Sequence, residues 1–222
     1  MDFPTLRRQM VYNQLIARGI KDDDVLSAMS LVPREKFVSE DLVNMSYADS
    51  PLPIDCAQTI SQPFIVAYML ERLKLKPTDK VLEVGTGSGY NAAVLSEIVD
   101  EVYTVELIKA LAEDAEKKLK ELDYHNAHVE HADGFEGLAS EAPFDAIILT
   151  AAPKEIPENL FEQLAEGGRM IAPVGEEHQD LIIYRKQNGK ITKHDVMAVR
   201  FVPMVDEDFL IKNKIIERPE LS

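Results

Sequence analysis

The chain has only one cysteine, Cys56, so no intrachain disulfide can form, which fits a reducing compartment. It has no apolar run approaching the roughly 18 residues that cross a bilayer. Its opening stretch, MDFPTLRRQM, lacks the apolar core of a secretory signal. Positive charge is scarce: 24 Lys and Arg stand against 39 Asp and Glu, a net charge of −15. Such a surface repels polyanions, which argues against nucleic-acid and membrane partners. The expectation is a cytosolic, cytoplasmic protein. No internal repeat or low-complexity segment interrupts its 222 residues, enough for one α/β domain with a sizeable core.

The first third reads as helical and irregular. From Pro4 to Arg18, Leu6, Met10, Val11 and Leu15 recur at helical spacing, and Gly19 is a natural stop. A second short helix is predicted to begin near Asp22 to Asp24, with Val25 and Met29 inward and Pro33 ending it. Residues 40–63 are rich in Pro, Asp, Ser and Asn and read as irregular. A helix resumes from Pro63 to Leu73, with proline tolerated in its first turn.

Then strands and helices alternate. KVLEV (80–84), VYTVE (102–106), HVEHA (128–132), DAIILTA (145–151) and RMIAPV (169–174) are predicted strands. The helices between them run through Ile98, to about Leu122, and from Pro157 to Ala165, where Gly167-Gly168 is expected to stop the last. LIIYRK, QNGK and ITKHDVMAV read as an antiparallel hairpin turning at Asn188-Gly189. This order predicts a doubly wound α/β fold: a mostly parallel seven-stranded Rossmann-like sheet, a C-terminal hairpin on its edge, and an N-terminal helical cap. One domain over 1–222 is expected, with the cap and a substrate loop in 1–75 and the sheet core in 76–222.

EVGTGSGYN follows a strand and opens a helix. Gly85, Gly87 and Gly89 let the backbone turn sharply and approach a ligand. Glu106 ends the next strand about twenty residues on, the spacing at which a carboxylate accepts two ribose hydroxyls. Position 90 is Tyr, so the spacing departs from the dinucleotide G-x-G-x-x-G. Glu83 before the first glycine would repel a pyrophosphate but suits a cationic ligand, which tilts the reading from NAD to S-adenosylmethionine. Asp133-Gly134 alone reads as a strand-ending turn. Beside Glu106 on one sheet edge, its acid reads as a partner for the adenine amino group.

Three segments together resemble the protein-L-isoaspartate O-methyltransferases, bacterial type: QTISQP (58–63), LEVGTGSGYN (82–91) and ADGFEGLASEAPFDAI (132–147). PVGEEHQ (173–179) and VRFVPMV (199–205) are also similar, and the likeness runs from VPREKF (32–37) onward. The resemblance implies a methyltransferase-type sheet, S-adenosyl-L-methionine as donor (S-adenosyl-L-homocysteine as product), no metal, and isoaspartyl residues of damaged proteins and peptides as acceptors. It implies donor contacts at Gln58, Thr59, Glu83, Gly85, Gly87, Ser88, Gly89, Glu106, Leu107, Asp133 and Gly134. Acceptor contacts fall on Thr59, Ile60, Ser61, Arg200, Phe201 and Val202, with Ser61 as the catalytic serine and backbone groups of Arg200 to Met204 pairing with peptide. The chain departs from the bacterial pattern at Cys56, at Ala57 (often Gly), and at Leu138 (usually aromatic).

The uncharged QTIS loop suits that reaction. An attacking carboxylate is already ionised at pH 7 and needs no general base. It needs placement in line with the methyl carbon and sulfur. Neutral hydroxyls can orient one carboxylate oxygen and leave the other reactive. On residues alone, Ser61 would equally cap the helix starting at Pro63.

Other readings are weaker. After the fourth strand the chain has Thr150-Ala151-Ala152-Pro153, without the amide or acid that amino-directed nucleic-acid methyltransferases use. Tyr90 and Glu83 disfavour a nicotinamide oxidoreductase, and the intact QTIS loop disfavours a cofactor-binding module without activity. His128 and His131 alternate to opposite strand faces, so a shared metal is not expected.

Overall fold

The computed structural model describes residues 1–216. Residues 217–222, counted in the expected domain, lie outside the described residues. Seven strands form one sheet: β1 (Lys80–Val84), β2 (Glu101–Glu106), β3 (Ala127–His131), β4 (Phe144–Leu149), β5 (Leu164–Gly175), β6 (Gln179–Gln187) and β7 (Lys190–Val199). Their order is β3-β2-β1-β4-β5-β6-β7. The first five run parallel, and β6 and β7 add antiparallel. The central strands are buried on both faces, as their near-continuous apolar sequences require. Asn188 and Gly189 turn the hairpin with φ of 52° and 69°, the left-handed pair that matches strand twist.

Helices fill the connections: α1 (Phe3–Met10), α2 (Asp23–Leu31), α3 (Pro63–Leu73), α4 (Tyr90–Ser96), α5 (Lys109–Glu121), α6 (Glu158–Glu162) and α7 (Glu207–Lys212). Beyond α1 the coil continues as a π turn and a 3-10 turn to Arg18, and Gly19 ends it at φ 96°. Met10, Leu15, Met29 and Leu70 from these N-terminal helices share one apolar cluster with Val81, Val102 and Ile171 of the sheet. The cap is therefore packed on the sheet by burial.

Two expectations need correction. The predicted helix 157–165 is only α6, Glu158–Glu162, and Gly167-Gly168 does not stop it. β5 already pairs Leu164 with Phe144, and its next partner pair is Arg169 with Ala146. The glycine pair lies in the extra residues of that bulge, Gly167 at φ 79°. Within the region read as irregular, Leu52–Pro53 and Thr59–Ile60 pair as a short antiparallel ribbon.

Arg169 anchors the C-terminal end of α3. It donates to Leu73 O at 2.6 Å and Lys74 O at 2.8 Å, satisfying carbonyls at the end of α3. It also donates to Asp145 O and pairs with Asp79. No helix among the described residues is long and apolar enough to cross a membrane.

Candidate active site

The glycine turn leaves β1 beside β2 and β4. Gly85 and Thr86 N–H donate to Val105 O at 2.9 and 3.2 Å. Thr150, just past β4, straps the turn: its hydroxyl lies 2.5 Å from Gly85 O and 3.1 Å from Val84 O. A Cβ on Gly85, at φ 100°, would stand 2.4 Å from that hydroxyl oxygen, so only glycine fits. The turn encloses a cavity lined by Gly85, Gly87, Ser88, Val105, Glu106 and Leu107, among others.

Two carboxylates stand in the polar wall of this cavity. Glu106 accepts from Gly87 N–H at 2.9 Å and Ile108 N–H at 3.0 Å. Burial pushes its carboxyl up, and those N–H groups pull it back. Glu83 is fully buried and accepts from Asn91 Nδ2 at 2.7 Å and Thr104 Oγ1 at 2.6 Å. Thr86 bonds Thr104 in turn, at 2.7 Å. Burial raises Glu83 to about 7; the two hydrogen bonds oppose this, and the Glu106 charge adds to it. Asn91 lines the cavity, and its buried Oδ1 has no hydrogen-bond partner. Two carboxylates and an unpaired amide oxygen suit a ligand that brings hydrogen-bond donors and positive charge.

The hydroxyl loop reaches this cavity from the other side. Cys56 and Ala57 turn it with φ of 56° and 57°. Ile54 N–H then bonds Gln58 O at 2.9 Å, and Ile60 is buried. Gln62, not Ser61, is the N-cap of α3, and no side chain caps that end. A second cavity opens beyond, lined by Arg18, Phe64, Arg200 and Phe201. Thr59, Ser61, Val202 and Pro203 line both cavities. Ser61 thus stands at the junction of the two cavities.

A family model described as protein-L-isoaspartate(D-aspartate) O-methyltransferase matches residues 6–209. The chain is a member of that family. It is 51% identical over 203 residues to the protein-L-isoaspartate O-methyltransferase of Opitutus terrae, spanning 90% of this chain and 87% of that one. It is likewise 51% identical over 199 residues to that of Serratia proteamaculans, spanning 90% and 96%. A solved protein-L-isoaspartate O-methyltransferase superimposes with a TM-score of 0.82 at 30% identity, over 89% of this chain and 65% of that one. A Plasmodium falciparum structure assigned to the same activity, in complex with S-adenosyl-L-homocysteine, gives 0.79 at 31% identity, over 90% and 99%.

Against the residues that the family pattern selects, the geometry is uneven. Gln58, Thr59, Ile60, Ser61, Glu83 and Val202 line the first cavity, as do the glycine-turn residues above and Gly134. Gly89 does not: it caps α4 and faces Ala115 of α5. Asp133 does not line it either; its Oδ1 accepts from Phe135 N–H at 2.9 Å. Amides from α6 and its end hold that loop, Asn159 on Phe135 O and Gln163 on Glu136 O, both at 2.8 Å. His128 stacks on Tyr103 and His131 bonds Leu107 O. Among the described residues no group of His, Cys, Asp or Glu is arranged to hold a metal. Cys56 packs near Ile108, Leu111 and Leu210, and burial raises its thiol, so it is no activated thiolate.

Sequence reasoning passed over Thr86, Asn91 and Thr150 as cavity residues, though all three stand inside quoted stretches. It also passed over Arg34, in VPREKF, which is fully buried behind the hydroxyl loop. The loop is uncharged, but a guanidinium underlies it.

Proposed function

We propose that the chain transfers a methyl group from S-adenosyl-L-methionine to the free carboxylate of L-isoaspartyl residues in damaged proteins and peptides. The ester then closes to a succinimide and opens partly to normal aspartate, so the protein initiates repair. The observation that carries this reading is the meeting of the two cavities at Thr59 and Ser61. Family membership supports the same reaction.

The donor supplies an electrophilic methyl on a sulfonium, whose bonding pair returns to sulfur as the carboxylate oxygen takes the carbon. The residues of the first cavity fit it. Glu106 would accept the ribose hydroxyls, and Gly85 and Gly87 admit the ligand close to backbone. Glu83 and the unpaired Asn91 Oδ1 favour its positive end. Gln58, Leu107 and Gly134 border it, and the adenine contact falls at Gly134 beside Asp133. Ser61 donates to one oxygen of the acceptor carboxylate and keeps the other aimed into the first cavity. Thr59 and Ile60 flank it, and Arg200, Phe201 and Val202 border the peptide. No base is needed, because the acceptor is ionised already.

We further infer that the chain works as one domain, in the cytoplasm, without nucleic-acid or membrane partners; its acidic balance supports this. The deciding experiment uses two synthetic peptides that differ only in one isoaspartyl or aspartyl linkage, with methyl-labelled donor. Base-labile label in the isoaspartyl peptide alone is expected. Label in neither, with the donor still bound, would overturn the acceptor assignment.

A further inference from the structure

Arg34 is 0% exposed, and a charged side chain is almost never fully buried without an ionic partner. Its partners here are neutral. Nε donates to Ser46 O at 2.8 Å, and Nη2 donates to Ser61 O at 2.8 Å. The guanidinium stands 4.7 Å over the Tyr90 ring, and Nη1 has no hydrogen-bond partner. Arginine remains charged in such a setting, so burial without a carboxylate is costly. An apolar side chain would fill this space at lower cost. The arrangement calls for a function.

Three segments converge on this side chain. Ser46 follows the 3-10 turn Glu40–Met45, Ser61 carries the hydroxyl at the junction of the cavities, and Tyr90 opens α4 directly after the glycine turn. Ser61 and Tyr90 both line the first cavity. The hydrogen-bond ladder of α3 begins one residue later, with Val66 N–H on Gln62 O at 3.1 Å, so the Ser61 carbonyl stands outside it. Holding that carbonyl anchors the Ser61–Gln62 peptide plane, which includes the serine Cα, and so restrains where the hydroxyl-bearing residue sits.

We propose that Arg34 is a positioning residue for methyl transfer, holding the Ser61 peptide through its carbonyl and locking the hydroxyl loop to Tyr90, so that acceptor loop and glycine turn keep one relative geometry. This rests on the role given to Ser61 above. The guanidinium fork is what the task requires: two carbonyls on separate segments are held by one rigid plane that also stacks on a ring. A lysine ammonium keeps the charge but is a single flexible point.

The test compares wild type, Arg34→Lys, Arg34→Gln, Ser61→Ala and Arg34→Lys/Ser61→Ala on the isoaspartyl peptide, with S-adenosyl-L-homocysteine binding measured for each. Arg34→Lys should lower kcat about tenfold or more, while peptide KM and product affinity move less than about threefold. The double variant should be no slower than Ser61→Ala alone, because Arg34 acts through Ser61. Full activity in Arg34→Lys would overturn the proposal, as would losses that multiply in the double variant. If neither Arg34 variant binds the product, Arg34 serves folding alone and the proposal falls. A wild type that binds the product but leaves the peptide unlabelled would instead overturn the functional reading, and the role of Arg34 with it.

Discussion

Gln179 closes both backbone groups of Phe201 with one side chain: Phe201 N–H donates to Oε1 at 2.7 Å, and Nε2 donates to Phe201 O at 3.2 Å. On the neighbouring residues, Ala152 accepts from Met204 N–H and donates to Val202 O, each at 2.8 Å. The stretch expected to pair with peptide is thus already held on several of its polar groups. Its wall of the second cavity, the acceptor groove proposed above, is fixed by these contacts. Gln179→Ala should therefore raise KM for the isoaspartyl peptide several-fold, leave product binding near wild type, and cost about 1–3 kcal/mol of stability. Steady-state kinetics with a denaturant titration would check it; an unchanged KM would remove Gln179 from the groove's support.

Ser61→Ala tests the hydroxyl itself. The side chain caps no helix, since Gln62 holds that position without a side-chain bond. The substitution should leave stability and donor affinity close to wild type. Turnover should fall about a hundredfold, equivalent to about 2.7 kcal/mol of transition-state stabilisation. Calorimetry with S-adenosyl-L-homocysteine and the labelled peptide assay separate the two effects. An active alanine variant would end the role given to this serine.

Much of this architecture was legible in the sequence. The buried strands of a parallel sheet read as apolar runs, and β1, β2 and β4 lie within a residue or two of KVLEV, VYTVE and DAIILTA. The glycine turn and Glu106 were found because spacing alone constrains them. Arg34 was not, because its burial is made by Ser46, Ser61 and Tyr90, three segments whose meeting no local pattern encodes. The same holds for Gln179. Gly167-Gly168 misled because a helix stop and a strand bulge ask for the same residue. The ribbon at Leu52–Pro53 and Thr59–Ile60 has two residues per strand, too few for a period.

Ala57 bears a local strain that can be relieved. It is exposed, at φ 57°, next to Cys56 at φ 56°. A left-handed conformation costs a residue with a Cβ roughly 1–2 kcal/mol that glycine escapes. Part of that gain is offset by the larger backbone entropy of glycine in the unfolded chain. Ala57→Gly should still stabilise the protein by about 0.5–1 kcal/mol, raising Tm by roughly 1–2 °C for a chain of this size. A Tm that falls would mean the loop relaxes in solution to another backbone geometry.

Glu83 should couple donor binding to pH. Its carboxyl is raised from 4.5 to about 7, chiefly by burial. Between those values the folded protein holds a proton that the unfolded chain has lost. The stability that this group contributes is therefore complete below about 4.5 and declines as pH rises to about 7. A cationic ligand acts in the opposite direction, since it favours the ionised carboxylate and expels the proton. Donor affinity should accordingly strengthen several-fold between pH 6 and pH 8 and level off above that. Calorimetry at pH 6 in two buffers of different ionisation enthalpy should detect the released proton. Glu83→Gln should weaken binding and flatten the profile, while costing little stability at pH 8, where wild type maintains a buried charge. An affinity independent of pH in the wild type would mean that Glu83 is already ionised in the free protein, with Asn91 and Thr104 supplying enough hydrogen bonding to outweigh its burial.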